Sequence, residues 1–464
     1  MLAELSRAPA RMRINFFIVC VFFGAVAIFG GASRADVMSL PLVRLASVVM
    51  IAIALMQIDR QQWRMIHLPV IFLLAVAAII AVQLIPLPPQ LWASLPGRGV
   101  YMDALGVAGI DGGWRAMSLT PDLTLNALLA LLPPIAAIFA LCLIGRAFWA
   151  MLIPPLLIVI GANALLGVMQ IASNTPYFYS ITNDEAAVGF FSNRNHYAVL
   201  LAIGFPCLAC WAAQPQADPA LQRTRLWLAL CAGAALFPLL LTAGSRAGLI
   251  LGGIGAISAF GIRMGRRSRD GHGRAGRFRF QPVTLIPVAV GAIAVLATIA
   301  LARDEALNRL LGSDTGQRGE NLSIYFAMAK DFLPFGSGFG SFDSVFRAYE
   351  PLSAVTAQYL NQAHNDLLQI VIEGGVLPVL LLAVFLVWYL VRNWALWRHK
   401  VRSPAALLGR TGAVVVALIL LSSLVDYPLR TPWLAVLMAA ACCWMLPGGS
   451  TGEEKDKGLA APTA

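Results

Sequence analysis

Charged residues are scarce in this sequence. Only 12% of its 464 residues are charged, whereas 59% are hydrophobic. Soluble domains carry roughly 25% charged residues, so the composition excludes a soluble enzyme. The seven cysteines all lie inside apolar runs, and none has the spacing of a metal ligand. We therefore expect neither a disulfide-stapled secreted module nor a metal site.

Long apolar runs dominate instead. A run of about 20 apolar residues can cross a hydrocarbon core, so we predict an all-α, polytopic integral membrane protein with about twelve transmembrane helices. The predicted spans are 14–33, 38–57, 68–87, 126–145, 148–170, 196–213, 226–243, 246–262, 282–302, 367–391, 411–428 and 432–447. The first span follows Arg7, Arg11 and Arg13, as in a signal peptide, but a second span follows at once. We expect an uncleaved anchor.

The basic residues predict the orientation. Segment 263–280 is rich in arginine, whereas the turn at 242–245 has no charge. Because cytoplasmic loops are enriched in Lys and Arg, this contrast places both termini in the cytoplasm. The net charge of +11 could suggest a nucleic-acid partner. A basic loop beside anionic membrane lipids is the better interpretation, so we expect membrane lipids and no nucleic acid as partners.

The same topology divides the chain into four parts. They are an N-terminal bundle of about nine helices (1–302), a large outer loop between helices 9 and 10 (303–366), C-terminal transmembrane helices (367–447) and a disordered tail (448–464). Within the large loop, the apolar spacing of 321–332 predicts a short amphipathic helix. The glycines of 334–342 predict a turn.

Four polar features fall on the predicted outer side. They are the segment 189–199 (GFFSNRNHYAV), the turn Gly244-Ser245-Arg246, the loop segment Gly316-Gln317-Arg318-Gly319, and His364-Asn365-Asp366 followed by Glu373-Gly374-Gly375. Long loops usually carry function in proteins whose spans mainly pack against one another. These four features are therefore the candidate site.

Two of the features contain an arginine suited to an anion. Arg246 begins a span, where its guanidinium could either reach lipid phosphates or bind a ligand with the helix N-terminus. The residue alone does not separate these readings. For Arg318 a surface ion pair with Glu320 or Asp314 is the simpler reading. Two arginines converging on one site would bind a pyrophosphate better than either alone.

His364 is the most informative candidate. It precedes a span, with Asn365 as a plausible N-cap, and the helix N-terminus disfavours a charged ring. A neutral imidazole can accept a proton from a hydroxyl, although an interfacial histidine satisfied by water is the alternative. Glu373 lies half a revolution away on the helix, so we assign it a structural role.

Two polar groups near the spans remain open. Arg44 could pair with Asp426 or with Asp36. Arg194 and His196 could contact a lipid headgroup or a sugar, and interfacial packing explains them equally well.

In this order, the four features resemble the O-antigen ligase family, also called the Wzy-C superfamily of bacterial envelope polysaccharide enzymes. The matching motifs are Gly189 to Asn195, Ser245-Arg246, Gln317-Arg318 ahead of the turn Pro334-Phe335-Gly336-Ser337-Gly338, and His364-Asn365-Asp366-Leu367-Leu368-Gln369 leading to Glu373-Gly374-Gly375. The resemblance covers residues 185–380. The family's usual second glycine three positions after Gly375 is Pro378 here.

The resemblance implies a function. Family members transfer a glycan from undecaprenyl pyrophosphate to an acceptor, such as lipid A-core, on the periplasmic side of the bacterial inner membrane, with no cofactor or metal. Transferred to this sequence, Arg246 and Arg318 hold the donor pyrophosphate and His364 helps to deprotonate the acceptor hydroxyl. We expect substrate contacts from a set of neighbouring polar residues. These are Asn193, Arg194, Asn195 and Asn365.

Several alternatives remain open at this point. Within the family, a polymerase of O-antigen or exopolysaccharide shares the donor motifs, and an oligosaccharyltransferase acting on protein is a further variant. A twelve-helix transporter would be a different class, but the two halves of the chain show no similarity to each other. A purely structural scaffold would leave the outward Arg and His residues without a role.

Overall fold

The computed structural model describes residue 5 and residues 7–110, 112–173, 176–184, 186–263, 266–267, 321–355, 360–398 and 401–447. The predicted ninth span, Arg318 and the predicted tail fall outside these residues. The α-helices are α1 (Ala10–Phe29), α2 (Leu40–Leu55), α3 (Arg60–Val82), α4 (Pro89–Ala93), α5 (Gly99–Val107), α6 (Pro121–Leu129), α7 (Leu132–Ile144), α8 (Arg146–Trp149), α9 (Ile153–Ser173), α10 (Arg194–Ala213), α11 (Pro219–Thr242), α12 (Arg246–Arg263), α13 (Leu322–Phe332), α14 (Phe342–Tyr349), α15 (Asp366–Gly374), α16 (Val376–Arg398), α17 (Pro404–Ser422) and α18 (Pro432–Trp444).

Strands are short. β1 (Pro86–Leu87) pairs antiparallel with β2 (Arg115–Ala116), and β3 (Arg266–Arg267) pairs parallel with β4 (Val401–Arg402). In the described ranges, short 3₁₀ helices also lie at Ala150–Leu152, Leu352–Ala354 and Pro428–Arg430.

The helices confirm an all-α, polytopic membrane protein. Among the described residues, nine helical segments are long and apolar enough to cross a membrane, with α6–α7 and α8–α9 each counted as one. The shorter apolar helices α2 and α18 occupy two further predicted spans. Helix α16 buries only Tyr389 and exposes leucine and valine along its length. Such an apolar surface is suited to lipid rather than to water.

The centre of the bundle is formed by α7, α10, α17 and α18, whose side chains are mostly buried. Helices α10 and α12 run parallel and lie very close, because small residues face each other. A Cβ on Gly248 would lie 2.4 Å from the Cβ of Ala198, and one on Gly255 would lie 2.7 Å from the carbonyl oxygen of Ala202. Small residues permit this approach between membrane helices. The two helices therefore begin at the same end of the bundle.

The predicted continuous span 367–391 is wrong, because the helix breaks at Gly375. Its φ of 70° ends α15 and allows α16 to start at Val376 in a new direction. The Val376 amide donates to the carbonyl of Pro334 at 2.9 Å, so the glycine-rich turn packs into the break. The amphipathic helix and the turn predicted for this region are confirmed as α13 and residues 333–341.

We predict that Gly375→Ala destabilises the protein by about 1–3 kcal/mol, because a left-handed φ strains any residue with a Cβ. That Cβ would also lie 2.1 Å from the Pro334 oxygen. Thermal unfolding in detergent measures the change. The matched control is Gly253→Ala, in an open position on α12 with no atom within 4 Å of the added carbon. Equal melting temperatures for the two variants would contradict the strained break.

Candidate functional site

The site is built around Asp426, in the connection between α17 and α18. Its side chain is only 1% exposed. The backbone amide of Asp426 donates to the carbonyl of Ser422 at 2.9 Å, which continues the end of α17 and turns the carboxylate inward. A buried carboxylate is costly unless several donors surround it. In this protein the donors come from two other helix starts.

His364 contributes the first donor. Its Nδ1 lies 3.2 Å from Asp426 Oδ1, and 23% of its side chain remains exposed. Among the described non-glycine residues it alone has a positive φ, 49°. The next residue, Asn365, holds this conformation. Its Oδ1 caps α15 by accepting from the Leu368 amide at 3.1 Å, and its Nδ2 donates to the carbonyl of Leu424 at 3.0 Å. The predicted N-cap is therefore confirmed.

The start of α10 contributes two amides. Asn195 Nδ2 donates to Asp426 Oδ2 at 2.7 Å, and Asn193 Nδ2 approaches the same oxygen at 3.3 Å. The preceding loop is held from α9, where Gln170 Oε1 accepts from the Gly189 amide at 2.8 Å. Gly189 has a φ of 58°, and a Cβ there would lie 2.6 Å from Asn163 Oδ1. The GFFSNRN motif thus positions two amides on one carboxylate.

His196 lies on the inner side of the same carboxylate. It is fully buried, with Nδ1 2.8 Å from Thr431 Oγ1 and Nε2 3.9 Å from Asp426 Oδ2. This burial excludes the headgroup or sugar contact considered for His196. The Tyr427 ring lies beside both histidines, with centroids 5.0 Å from His364 and 5.4 Å from His196.

The charges of the site follow from these contacts. Burial acts to raise the pKa of Asp426, but the hydrogen bond from His364 and the two neighbouring imidazoles outweigh it and lower the pKa to about 2. Burial also raises the pKa of the Tyr427 phenol, with the Asp426 charge acting in the same direction. The carboxylate is therefore ionised and the phenol protonated at neutral pH.

A second cluster of charged side chains lies near the site and consists of Arg430, Glu373 and Asp366. Arg430 Nη2 donates to Glu373 Oε2 at 3.0 Å, and its Nε lies 3.6 Å from Asp366 Oδ1. Glu373 Oε1 also accepts from Gln369 Nε2 at 2.9 Å and from the Phe342 amide at 3.2 Å, at the start of α14. Glu373 thus joins α15 to two other elements, which agrees with the structural role expected of it.

Arg246 and Arg194 lie at the same end of the bundle. Arg246 begins α12, two residues before Gly248, and Gly248 packs against Ala198 of α10. A Cβ on Gly244 would lie 4.0 Å from Arg194 Nη1, so the Arg194 side chain reaches the turn that precedes Arg246. The structure thus gathers Asn193, Arg194 and Asn195 around one end of α10. Arg318 lies outside the described residues.

Neither proposed partner of Arg44 is correct. Arg44 Nη2 donates to Asn126 Oδ1 in α6. Asp36 instead pairs with Arg34 at 2.7 Å, and Asp426 is enclosed by the groups described above. A hydrophobic run shows that a charge within it needs a partner, but it does not show which distant segment packs there.

The His364–Asp426 pair has a defined chemical capacity. With Nδ1–H donated to the carboxylate, the remaining ring nitrogen, Nε2, carries a lone pair and can accept a proton. The carboxylate would stabilise the imidazolium that forms. Within the part of the chain that the structure describes, no three His, Cys, Asp or Glu side chains are grouped as metal ligands.

Sequence reasoning missed the central role of Asp426 and of its contacts with His196 and Tyr427. A signal was present, because Asp426 is the one acidic residue in the long apolar stretch 404–447. An ionisable residue in such a stretch indicates function by default. Its partners are far away in sequence, so the signal alone does not identify them.

The comparisons with known proteins agree with the motifs. Residues 231–384 match the family model described as O-antigen ligase. The match runs from α11 to the first half of α16 and includes Arg246, Arg318 and His364. No curated protein matches the chain significantly.

We predict that Asp366→Asn removes a loss of folding stability that the wild-type protein suffers as the pH rises. Burial raises the pKa of the Asp366 carboxyl to about 7, against the opposing charge of Arg430. Since the unfolded carboxyl has a pKa of about 3.9, the folded state holds one more proton between these values and loses stability as pH rises through 7. Relative to wild type, the variant should therefore gain melting temperature from pH 5 to pH 8.

The control is Asp343→Asn, which removes a carboxylate paired with Arg347 on the surface of α14. A wild-type pH slope in the Asp366 variant would show that its carboxyl is not protonated in the fold.

Proposed function

We propose that this chain is a membrane glycosyltransferase that ligates a polysaccharide from undecaprenyl pyrophosphate onto lipid A-core or a similar acceptor, because its residues 231–384 match the O-antigen ligase family model. The family match supports a role of the protein in polysaccharide biosynthesis. The donor, the acceptor and the periplasmic location of the site in the bacterial inner membrane belong to our proposal. The observation that carries the proposal is the buried Asp426 carboxylate 3.2 Å from His364 Nδ1.

His364 acts as the general base in this mechanism. Asp426 holds Nδ1–H, so that Nε2 accepts the proton of the acceptor hydroxyl while the hydroxyl oxygen attacks the anomeric carbon. The C–O bond to the pyrophosphate breaks in the same displacement, which inverts the anomeric centre. The imidazolium that results lies beside a carboxylate that is already ionised, so little reorganisation is needed.

Arg246 stabilises the leaving group. Negative charge grows on the pyrophosphate as the glycosidic bond breaks, and a fixed guanidinium at the start of α12 lowers that barrier. The planar fork of arginine matches phosphate oxygens in pairs, and the N-terminus of α12 favours an anion in the same place. The resemblance assigns the same role to Arg318.

The polar residues at the start of α10 divide into two roles. Asn193 and Asn195 donate to Asp426, so they act as positioning residues for the carboxylate. Arg194, beside the turn before Arg246, remains a proposed contact for the sugar or phosphate of the donor. Asn365 caps α15, which favours a positioning role for it as well.

We predict that Asp426→Asn lowers kcat for glycan transfer by about 10²–10⁴-fold in reconstituted membranes, because the ring loses the anion that fixes its tautomer. His364→Gln should lower kcat at least as much. The surface variant Asp36→Asn, with its carboxylate 64% exposed, is the matched control and should retain full activity. Wild-type kcat in either site variant, with normal insertion and melting, would remove the pair from the mechanism.

In cells, deletion of the gene should abolish capped lipopolysaccharide on gels and leave lipid-linked polymer to accumulate. Wild-type protein should restore the pattern, and Arg246→Ala should not. Arg246→Lys should restore it poorly, because a point charge lacks the paired donors.

Single-repeat products after deletion would instead identify a polymerase, and an unchanged gel would point to transport or scaffolding. Full rescue by Arg246→Lys would contradict bidentate phosphate binding.

A further inference from the structure

A pocket lies beside the α17–α18 connection, which also carries Asp426. It is open to its surroundings, with about 330 Å³ of empty space that includes adjoining solvent, and it lies where the connection between α1 and α2 meets α6, α7 and the start of α18. Its walls are mainly apolar, with Leu40, Val43, Leu129 and Pro133 among them. Two arginines, Arg44 and Arg430, line the same pocket.

Arg44 retains most of its hydrogen-bonding capacity. It lies one turn into α2 and is partly buried, and Nη2 donates to the Asn126 side chain. Among the described residues no carboxylate pairs with Arg44. A guanidinium has five N–H donors and cannot shed its charge, so an apolar wall is a costly place for it without an anion.

Arg430 adds a second guanidinium to this pocket. Nη2 is bonded to Glu373 and Nε faces Asp366, whereas Nη1 donates to no acceptor in the described part of the chain. The side chain remains 21% exposed. The hydrogen bond to Glu373 holds the guanidinium in place beside Asp366, and Nη1 is left to donate to a ligand. Arg44 and Arg430 together can therefore bind an anion whose attached chain is apolar.

The pocket lies across the bundle from Arg246. Helix α12 packs against α10 and α17, whereas α2 packs against α7. Helix α18 lies between these groups, since it packs against both α17 and α7. The α17–α18 connection, which carries Asp426, therefore separates the two cationic sites. An inverting displacement is compatible with this arrangement, because the incoming hydroxyl approaches the anomeric carbon from the face opposite the leaving group.

We propose that the Arg44–Arg430 pocket binds the phosphate group of the acceptor lipid, with an acyl chain against the apolar wall. This inference rests on the proposed function and deepens it, because it assigns the acceptor a site separate from the donor pyrophosphate. Arginine pairs recognise phosphate through several parallel N–H···O bonds. Bound there, the lipid presents its sugar headgroup toward His364 from the side opposite Arg246.

The test measures lipid binding without requiring transfer. Purified full-length protein in phosphatidylcholine nanodiscs is titrated with lipid A, with enzymatically dephosphorylated lipid A and with phosphatidylglycerol. Wild type should bind lipid A and should bind the dephosphorylated form about tenfold more weakly or worse, as expected for lost hydrogen bonds to a charged group. Arg44→Gln, which keeps an amide beside Asn126, should lower lipid A affinity by a similar factor and leave the KM for the donor unchanged.

Two further variants make the result specific. Ala130→Trp fills the pocket without changing its charge and should also weaken binding. Arg34 lies in the same α1–α2 connection but pairs with Asp36 outside the pocket. The Arg34→Gln variant should therefore bind lipid A like wild type.

Each outcome decides between the alternatives. Arg44-dependent binding of lipid A supports the site even if the protein transfers no glycan to it, in which case the proposed function fails and the pocket stands. Equal affinity for the phosphorylated and dephosphorylated forms overturns the proposal. So does a loss confined to phosphatidylglycerol, because that result would make the pocket a site for bulk anionic lipid.

Discussion

The carboxylate of Asp426 is the group around which this end of the bundle is organised. A charge buried to this degree must be surrounded by donors, and breaking such a pairing typically costs about 3–5 kcal/mol. Its donors come from the start of α10 and from His364, two residues before α15, while its backbone continues α17. One buried anion therefore fixes three elements relative to one another. The exposed imidazole takes its orientation from the same contact.

The surrounding elements can be understood as supports for this arrangement. The break at Gly375 lets α15 lie apart from the long membrane helix α16, so that His364 is presented at its start. Glu373, at the end of α15, then reaches Arg430, four residues after Asp426. The Glu373–Arg430 pair thus holds the α17–α18 connection at a further point, in addition to the contacts of Asp426.

Much of this could be predicted from the sequence, because long apolar runs and helix caps are local signals. Hydropathy located most of the spans in the described part of the chain, and the predicted cap by Asn365 on the helix after His364 is confirmed. The Asp426 contacts are different, since 62 residues separate it from His364 and 231 from Asn195. The Gly375 break was missed because its cause is the close approach of Pro334 from a distant turn. Arg44 was assigned the wrong partner for the same reason.

We infer that Asp426 holds the Nδ1 proton of His364 and leaves Nε2 free to accept one. The direct measurement is ¹⁵N NMR of histidine-labelled protein in lipid bilayers at neutral pH, with the His364 signals assigned by their loss in His364→Gln. We expect a protonated Nδ1 and an unprotonated Nε2 in the wild-type protein, with that preference lost in Asp426→Asn. A His364 ring protonated at Nε2 in the wild-type protein would contradict it.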